Sequence, residues 1–166
     1  MFLWLLFMFM GDEPKEAQIQ SVADAYLKAV EQMDWARMQA LLADDAIFED
    51  PTSEVFGEPW RYVGPEAIVD FYRDAAVDTL ATSYRIVRQF ATGTHVVYEI
   101  EGSGHVKASL IGHPDKELKD TVNLVTVITV QDGKVIRHRD YVDYADMMQK
   151  LAQHKKNFDA EVQSSQ

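Results

Sequence analysis

Apolar positions change their period along this chain, and each change marks a different kind of element. From Lys15 onward, Ile19, Val22, Ala23, Tyr26, Leu27, Val30 and Met33 recur at three- and four-residue spacing, which predicts a helix with one buried face. Asp34 stands where a cap is needed, ahead of Trp35, Met38, Leu41 and Leu42, and these predict a second, shorter helix. Ala46 to Asp50 reads as a short strand ended by Pro51. Residues 52–63 predict a long aromatic loop, and Gly64-Pro65 then opens a third helix with Ile68, Phe71, Tyr72 and Ala75 on one face.

Beyond Thr82 the period becomes two, and β-branched and aromatic residues dominate. Four long strands are expected, at Tyr84 to Phe90, His95 to Val106, Thr121 to Val130 and Lys134 to Val142. Thr92-Gly93 and Asp132-Gly133 supply hairpin turns and His113-Pro114-Asp115 breaks the connection between them, so the strands should pair antiparallel. Strict alternation would put Ile136, His138 and Asp140 on one face of the last strand and Val135, Arg137, Arg139 and Tyr141 on the other. A final helix from Tyr144 to about Lys156 should bury Met147, Met148 and Leu151. Helices followed by a meander of strands predict one α+β domain over residues 15–156, with an apolar leader at 1–14 and a polar tail at 157–166.

Composition narrows the partners. With 166 residues and 47% hydrophobic composition, the chain can build one core. A net charge of −11, from 27 acidic against 16 basic residues, argues against nucleic acid and anionic membrane surfaces, which demand clustered cations. There is no cysteine, hence no thiolate chemistry, and the five histidines show no metal-binding spacing, so no metal or cofactor is implied. Met1 to Met10 are all apolar, about half the length that spans a bilayer. That length suits the core of an export signal, but no basic segment precedes it and no small-residue cleavage site follows. A cytoplasmic protein is the expectation, with export as the alternative if residues 1–10 belong to a signal.

Particular residues carry a resemblance. The run from Tyr26-Leu-Lys-Ala-Val-Glu-Gln-Met-Asp-Trp to Ala-Ile-Phe-Glu-Asp50-Pro51, with Ile68-Val-Asp-Phe-Tyr72, is similar to bacterial ketosteroid isomerases. The ending Asp132-Gly-Lys-Val-Ile-Arg-His-Arg-Asp140-Tyr-Val-Asp143 resembles limonene-epoxide hydrolases and SnoaL-like polyketide cyclases. Both belong to the cone-shaped, nuclear-transport-factor-2-like superfamily, in which N-terminal helices pack on a curved, mostly antiparallel sheet. The resemblance implies a pocket for a small apolar molecule, polyketide-, steroid- or terpenoid-like, and a homodimer through the outer face of the sheet. It implies Asp50 and Asp140 as pocket carboxylates and Tyr26 and Tyr72 as pocket tyrosines. Two departures stand out. Thr126 falls where the isomerases carry a protonated aspartate, and Glu101 and Ser103 fall where the hydrolases carry an arginine and an aspartate, on a polar strand face that the family places partly in the cavity, as substrate-binding candidates, and that is otherwise the solvent side or a dimer surface.

Each candidate also has a plainer reading. Asp50 could belong to an acidic loop with Asp44, Asp45 and Glu49, and Tyr26 and Tyr72 could be ordinary core. Asp140 beside His138 is either a base oriented by its neighbour or a structural ion pair. Trp60, Phe56 and Tyr62 form a lid over the pocket or simple packing. Two functions remain open: an isomerase-, cyclase-, lyase- or hydrolase-type enzyme working by acid–base chemistry, and a non-catalytic binding or association module of the same fold.

Overall fold

In a computed structural model, which describes residues 15–164, the helical period of the N-terminal third becomes three helices over the concave side of one curved sheet. The first helix, α1 (Lys15–Glu31), turns Ile19, Ala23, Tyr26, Leu27 and Val30 inward. Asp34 caps α2 (Trp35–Leu41), its carboxylate accepting the Arg37 backbone N–H at 3.1 Å. Gly64, at φ +88°, makes the turn into α3 (Pro65–Ala75), which buries Ile68 and Val69.

Six strands follow the order β2-β1-β6-β5-β4-β3. They are β1 (Leu42–Asp50), β2 (Trp60–Val63), β3 (Thr79–Thr92), β4 (His95–Ala108), β5 (His113–Gln131) and β6 (Lys134–Val142). All neighbours run antiparallel except β1 and β6, which are parallel. Asp132 and Gly133 both take positive φ, 50° and 74°, as a two-residue hairpin turn between β5 and β6 requires. A single core then forms between helices and sheet, with Tyr26, Met38, Phe48, Ile68, Tyr98, Ile100 and Ile128 fully enclosed.

Several expectations need correction. The aromatic loop contains a short helical turn at Pro51–Phe56 and an edge strand, β2, because residues 60–63 find a partner in β1 that local pattern does not reveal. The alternation predicted for β6 also fails at two residues, Val135 and Ile136. Arg137 pairs with Thr129 but Val135 pairs with Val130, so Ile136 sits in a bulge. Val135 is therefore fully buried, and Ile136 joins Arg137, Arg139 and Tyr141 along a groove on the outer face. The last helix, α4 (Tyr144–Ser164), outruns its expected end near Lys156. Its final turns are held by the long β5: His113 bonds Asp159 at 2.8 Å and Lys116 pairs with Glu161 at 2.8 Å. Tyr144 is its buried residue, whereas Met148 is about half exposed. The apolar leader lies outside the described residues.

Candidate functional site

Cross-strand register gathers the polar residues of the core into one place. His138 on β6 is opposite Phe48 on β1, and Asp140, two residues on, is opposite Thr126 on β5, which in turn faces Tyr98 on β4. Strand periodicity of two puts all of them on the concave face. Above them, α1 brings Tyr26 and α3 brings Tyr72.

The contacts form a chain of donors ending on one carboxylate. The Tyr26 and Tyr72 hydroxyls approach His138 Nδ1 at 3.1 and 3.2 Å. His138 Nε2 lies 2.9 Å from Asp140 Oδ1, which also accepts the Thr126 hydroxyl at 2.6 Å. In the neutral imidazole this arrangement makes Nε2–H the donor to Asp140 and leaves Nδ1 a single lone pair. Two phenols compete for that lone pair. Tyr26, the closer, is fully buried, so Tyr72 is the donor free to turn elsewhere, and its oxygen is 3.5 Å from Asp140 Oδ2. Oδ2 thus meets one long contact while Oδ1 is saturated. The His138 side chain is 2% exposed and that of Asp140 12%.

Electrostatics keep the phenols protonated. Burial, and after it the negative charge of Asp140, pushes both Tyr26 and Tyr72 well above the ordinary phenol range. They are donors at any physiological pH. Around them runs an aromatic wall: Phe48 packs at 5.1 Å from both His138 and Phe71, and Phe71 lies 5.3 Å from Trp60.

Asp50 is buried on the same face but is engaged differently. Its Oδ1 accepts the Thr52 N–H at 2.9 Å, the Thr52 hydroxyl at 2.6 Å and the Ser53 N–H at 3.1 Å, which caps the turn after β1. Its Oδ2 accepts the Tyr144 hydroxyl at 2.6 Å. The carboxylate therefore ties β1, the following turn and α4 together. Tyr144 in exchange rises above the ordinary phenol value, through burial first and then the bond to Asp50. Trp60 stacks on Phe56 at 5.6 Å and meets Tyr144 edge-on at 6.0 Å, so the aromatic segment is packed rather than free.

Glu101 and Ser103 are not brought to this cluster. Tyr98, Ile100 and Gly102 take the buried parity of β4, so residues 101 and 103 face outward, and Glu101 forms a forked ion pair with Arg85 at 2.8 and 3.0 Å. Two residues that the sequence reading passed over do belong inside. Tyr144 was hidden as the first residue of a helix, and Tyr84, partly buried against the core, as the first residue of an expected strand. A second feature is the outer groove of about 700 Å³, lined by Ile47, Val127, Ile136, Arg137, Arg139 and Tyr141, on the far side of the sheet from the cluster. Among the described residues no helix is long and apolar enough to cross a membrane, and no three metal-ligating side chains converge.

Comparison with known proteins places this architecture. The family model of the SnoaL-like domain matches residues 23–138. The protein YesE of Bacillus subtilis (strain 168), whose function is uncharacterised, is 27% identical over 136 residues, covering 81% of this chain and 85% of that one. A Shewanella putrefaciens CN-32 structure described as a SnoaL-like polyketide cyclase is 25% identical, with a TM-score of 0.75 over 86% of this chain and 99% of that one. An LEH-like epoxide hydrolase of M. tuberculosis, 23% identical, superposes with a TM-score of 0.66 over 84% of this chain and 93% of that one. The last is a likeness of fold alone, and the fold is the nuclear-transport-factor-2-like cone.

Proposed function

This chain belongs to the SnoaL-like domain family, and from that premise we propose that it holds a small, largely apolar molecule against the inner face of its sheet and moves a proton on it. The observation that carries the reading is the asymmetry of Asp140. Oδ1 is fixed by Thr126 and His138, whereas Oδ2 has only the long 3.5 Å contact from the Tyr72 hydroxyl, which a ligand could displace. A base needs one oriented oxygen and one free oxygen, within reach of a hydrogen-bond donor for the charge that develops.

The chemistry balances without a cofactor. Asp140 Oδ2 takes a proton from a carbon next to a carbonyl and becomes the neutral acid. The electron pair moves onto the carbonyl oxygen, where the Tyr72 hydroxyl donates to it, and return of the proton to another carbon regenerates the carboxylate. His138 and Thr126 position the base. Trp60, Phe48 and Phe71 supply apolar wall. Isomerase, cyclase and lyase steps all begin this way, and a hydrolase would direct the same oxygen at water. In this reading Asp50 is the anchor of the β1 turn, and Glu101 and Ser103 take no part.

A second reading is a non-catalytic ligand-binding or association module, favoured by the fact that Tyr26, His138, Thr126 and Asp140 satisfy one another. One experiment separates the two. Wild-type protein in deuterium oxide should exchange the α-protons of β-tetralone, followed by proton NMR, and Asp140→Asn should slow that exchange about 10³-fold while still binding the hydrocarbon tetralin. Binding without exchange in the wild type would leave the carrier reading.

The proposal includes a homodimer through the outer groove. That groove carries both signs of charge, Lys134, Arg137 and Arg139 with Asp45 and Asp132, beside apolar Ile47, Val127 and Ile136. A patch of mixed charge and apolar surface can meet its own copy about a two-fold axis.

A further inference from the structure

Five tyrosines in this fold are held above the ordinary phenol range with burial as the first cause: Tyr26, Tyr72, Tyr84, Tyr98 and Tyr144. Four have an evident partner for the hydroxyl. Tyr26 and Tyr72 meet His138, Tyr98 donates to Asp24 at 2.6 Å and Tyr144 to Asp50 at 2.6 Å. The hydroxyl of Tyr84 has none among the described residues, although its ring packs on the core. Nor is that oxygen sealed off, since Gln20 Nε2 is the one completely enclosed side-chain atom without a partner among the described residues.

The backbone around Tyr84 is held firmly. Its cross-strand partner is Gly102, which shares the buried parity of Tyr98 and Ile100, so Tyr84 stands on the concave face beside a position without a side chain. β3 is the edge of the sheet, and the Tyr84 N–H would point into solvent there. Instead it donates to Glu31 Oε1 at 2.8 Å, and the other Glu31 oxygen is held by Lys28 at 2.6 Å. Both belong to α1, two and five residues after Tyr26 on the same helix. Tyr84 and Tyr26 are thus fixed to one rigid frame.

A hydroxyl that no protein group holds, on a ring fixed by packing and still open at its oxygen, is free to donate to a ligand. We propose that Tyr84 is a specificity-determining residue of the inner site, whose hydroxyl donates to an acceptor oxygen of the bound molecule. The inference rests on the proposed function and narrows the ligand to an apolar body carrying a carbonyl or hydroxyl oxygen. After burial, the charge of Asp140 is the next influence on the Tyr84 phenol, as it is for Tyr26 and Tyr72, in keeping with one shared site.

The test uses ring-fluorinated tyrosine throughout the chain, with each fluorine resonance assigned by a single Tyr→Phe variant. β-Tetralone should move the Tyr84 resonance together with Tyr26 or Tyr72, and tetralin, which lacks the oxygen, should leave Tyr84 much less changed. Tyr84→Phe should weaken β-tetralone binding about five-fold, the size of one neutral hydrogen bond, with tetralin binding unchanged and the melting temperature within about 2 °C of wild type. Movement of Tyr26 or Tyr72 without Tyr84, or equal binding by Tyr84→Phe, would overturn the role of Tyr84 and leave the proposed function standing. If neither probe binds or moves any of the three, both fall together.

Discussion

Two carboxylates lie on neighbouring strands of the sheet, one on each face, and they are held in opposite ways. Asp140, on the concave side, is surrounded by donors that carry no fixed charge: a threonine hydroxyl, an imidazole and a phenol. Glu49, on the convex side, is gripped by Arg61, Arg137 and Arg139 at 3.5, 3.2 and 2.5 Å. Burial works against ionisation of Glu49, yet the Arg139 hydrogen bond and the three arginine charges outweigh it and hold the carboxyl below its usual range. Permanent cations lock a carboxylate as an anion and use up both oxygens. Neutral donors orient a carboxylate without cancelling its charge, and the second oxygen of Asp140 has only one long contact. Under the proposed function the inner carboxylate is the one available for chemistry, while the outer one holds β1, β2 and β6 together.

The largest effect that would break this contrast comes from the inner face. His138→Leu removes the link between Asp140 and the fully buried Tyr26, leaving a hydroxyl and a charge short of partners. It should cost about 3 kcal/mol by urea unfolding, whereas Arg137→Leu outside should cost less than about 0.5 kcal/mol. Comparable losses would show that both faces are structural.

Asp50 comes next. Asp50→Ala deletes a cap and leaves Tyr144 unpaired, so a loss of about 2 kcal/mol is expected in the same assay. An unchanged midpoint with abolished β-tetralone exchange would move the base from Asp140 to Asp50.

The two faces should also fail at opposite ends of the pH scale. Glu49 is ionised more readily in the fold than at its ordinary value of 4.5, so its contribution is complete above about pH 4.5 and is lost as pH falls through the lower native value. Glu49→Gln should cost about 1 kcal/mol at neutral pH and flatten the acid limb of a thermal melt. The inner phenols are shifted the other way, up from 10.0. Their contribution is complete below about pH 10 and is lost as pH rises beyond it. Tyrosinate absorbance should therefore appear for Tyr26 and Tyr72 only with alkaline unfolding, and early reversible titration of both would contradict the buried network.

The smallest effect on stability is expected at the outer groove. Tyr141→Glu should convert a dimer of the 18.9 kDa chain into monomers by sedimentation without changing β-tetralone exchange. A wild-type monomer would remove the dimer from the proposal.

Much of this was legible in the sequence because it depends on local rules. Helical spacing from Ile19 to Val30, the Asp34 cap, the Gly64-Pro65 start and the Asp132-Gly133 turn are each decided within a few residues, by backbone sterics and by which side chains must avoid water. Tyr26, Tyr72 and Asp140 could be nominated only through the family resemblance, and strand alternation set His138 on the same face as Asp140. Only tertiary structure decided how they meet. The bulge at Ile136 reversed one expected face, and the parallel pairing of β1 with β6 brought Phe48 to His138. The partners of Asp50 divide between its own turn and a helix 94 residues away. Tyr84 had no signal until Gly102 was found opposite it. Periodicity records which residues leave water. Which of them then touch depends on strand register and on the approach of helices from distant parts of the chain, and those are set by packing the whole core at once.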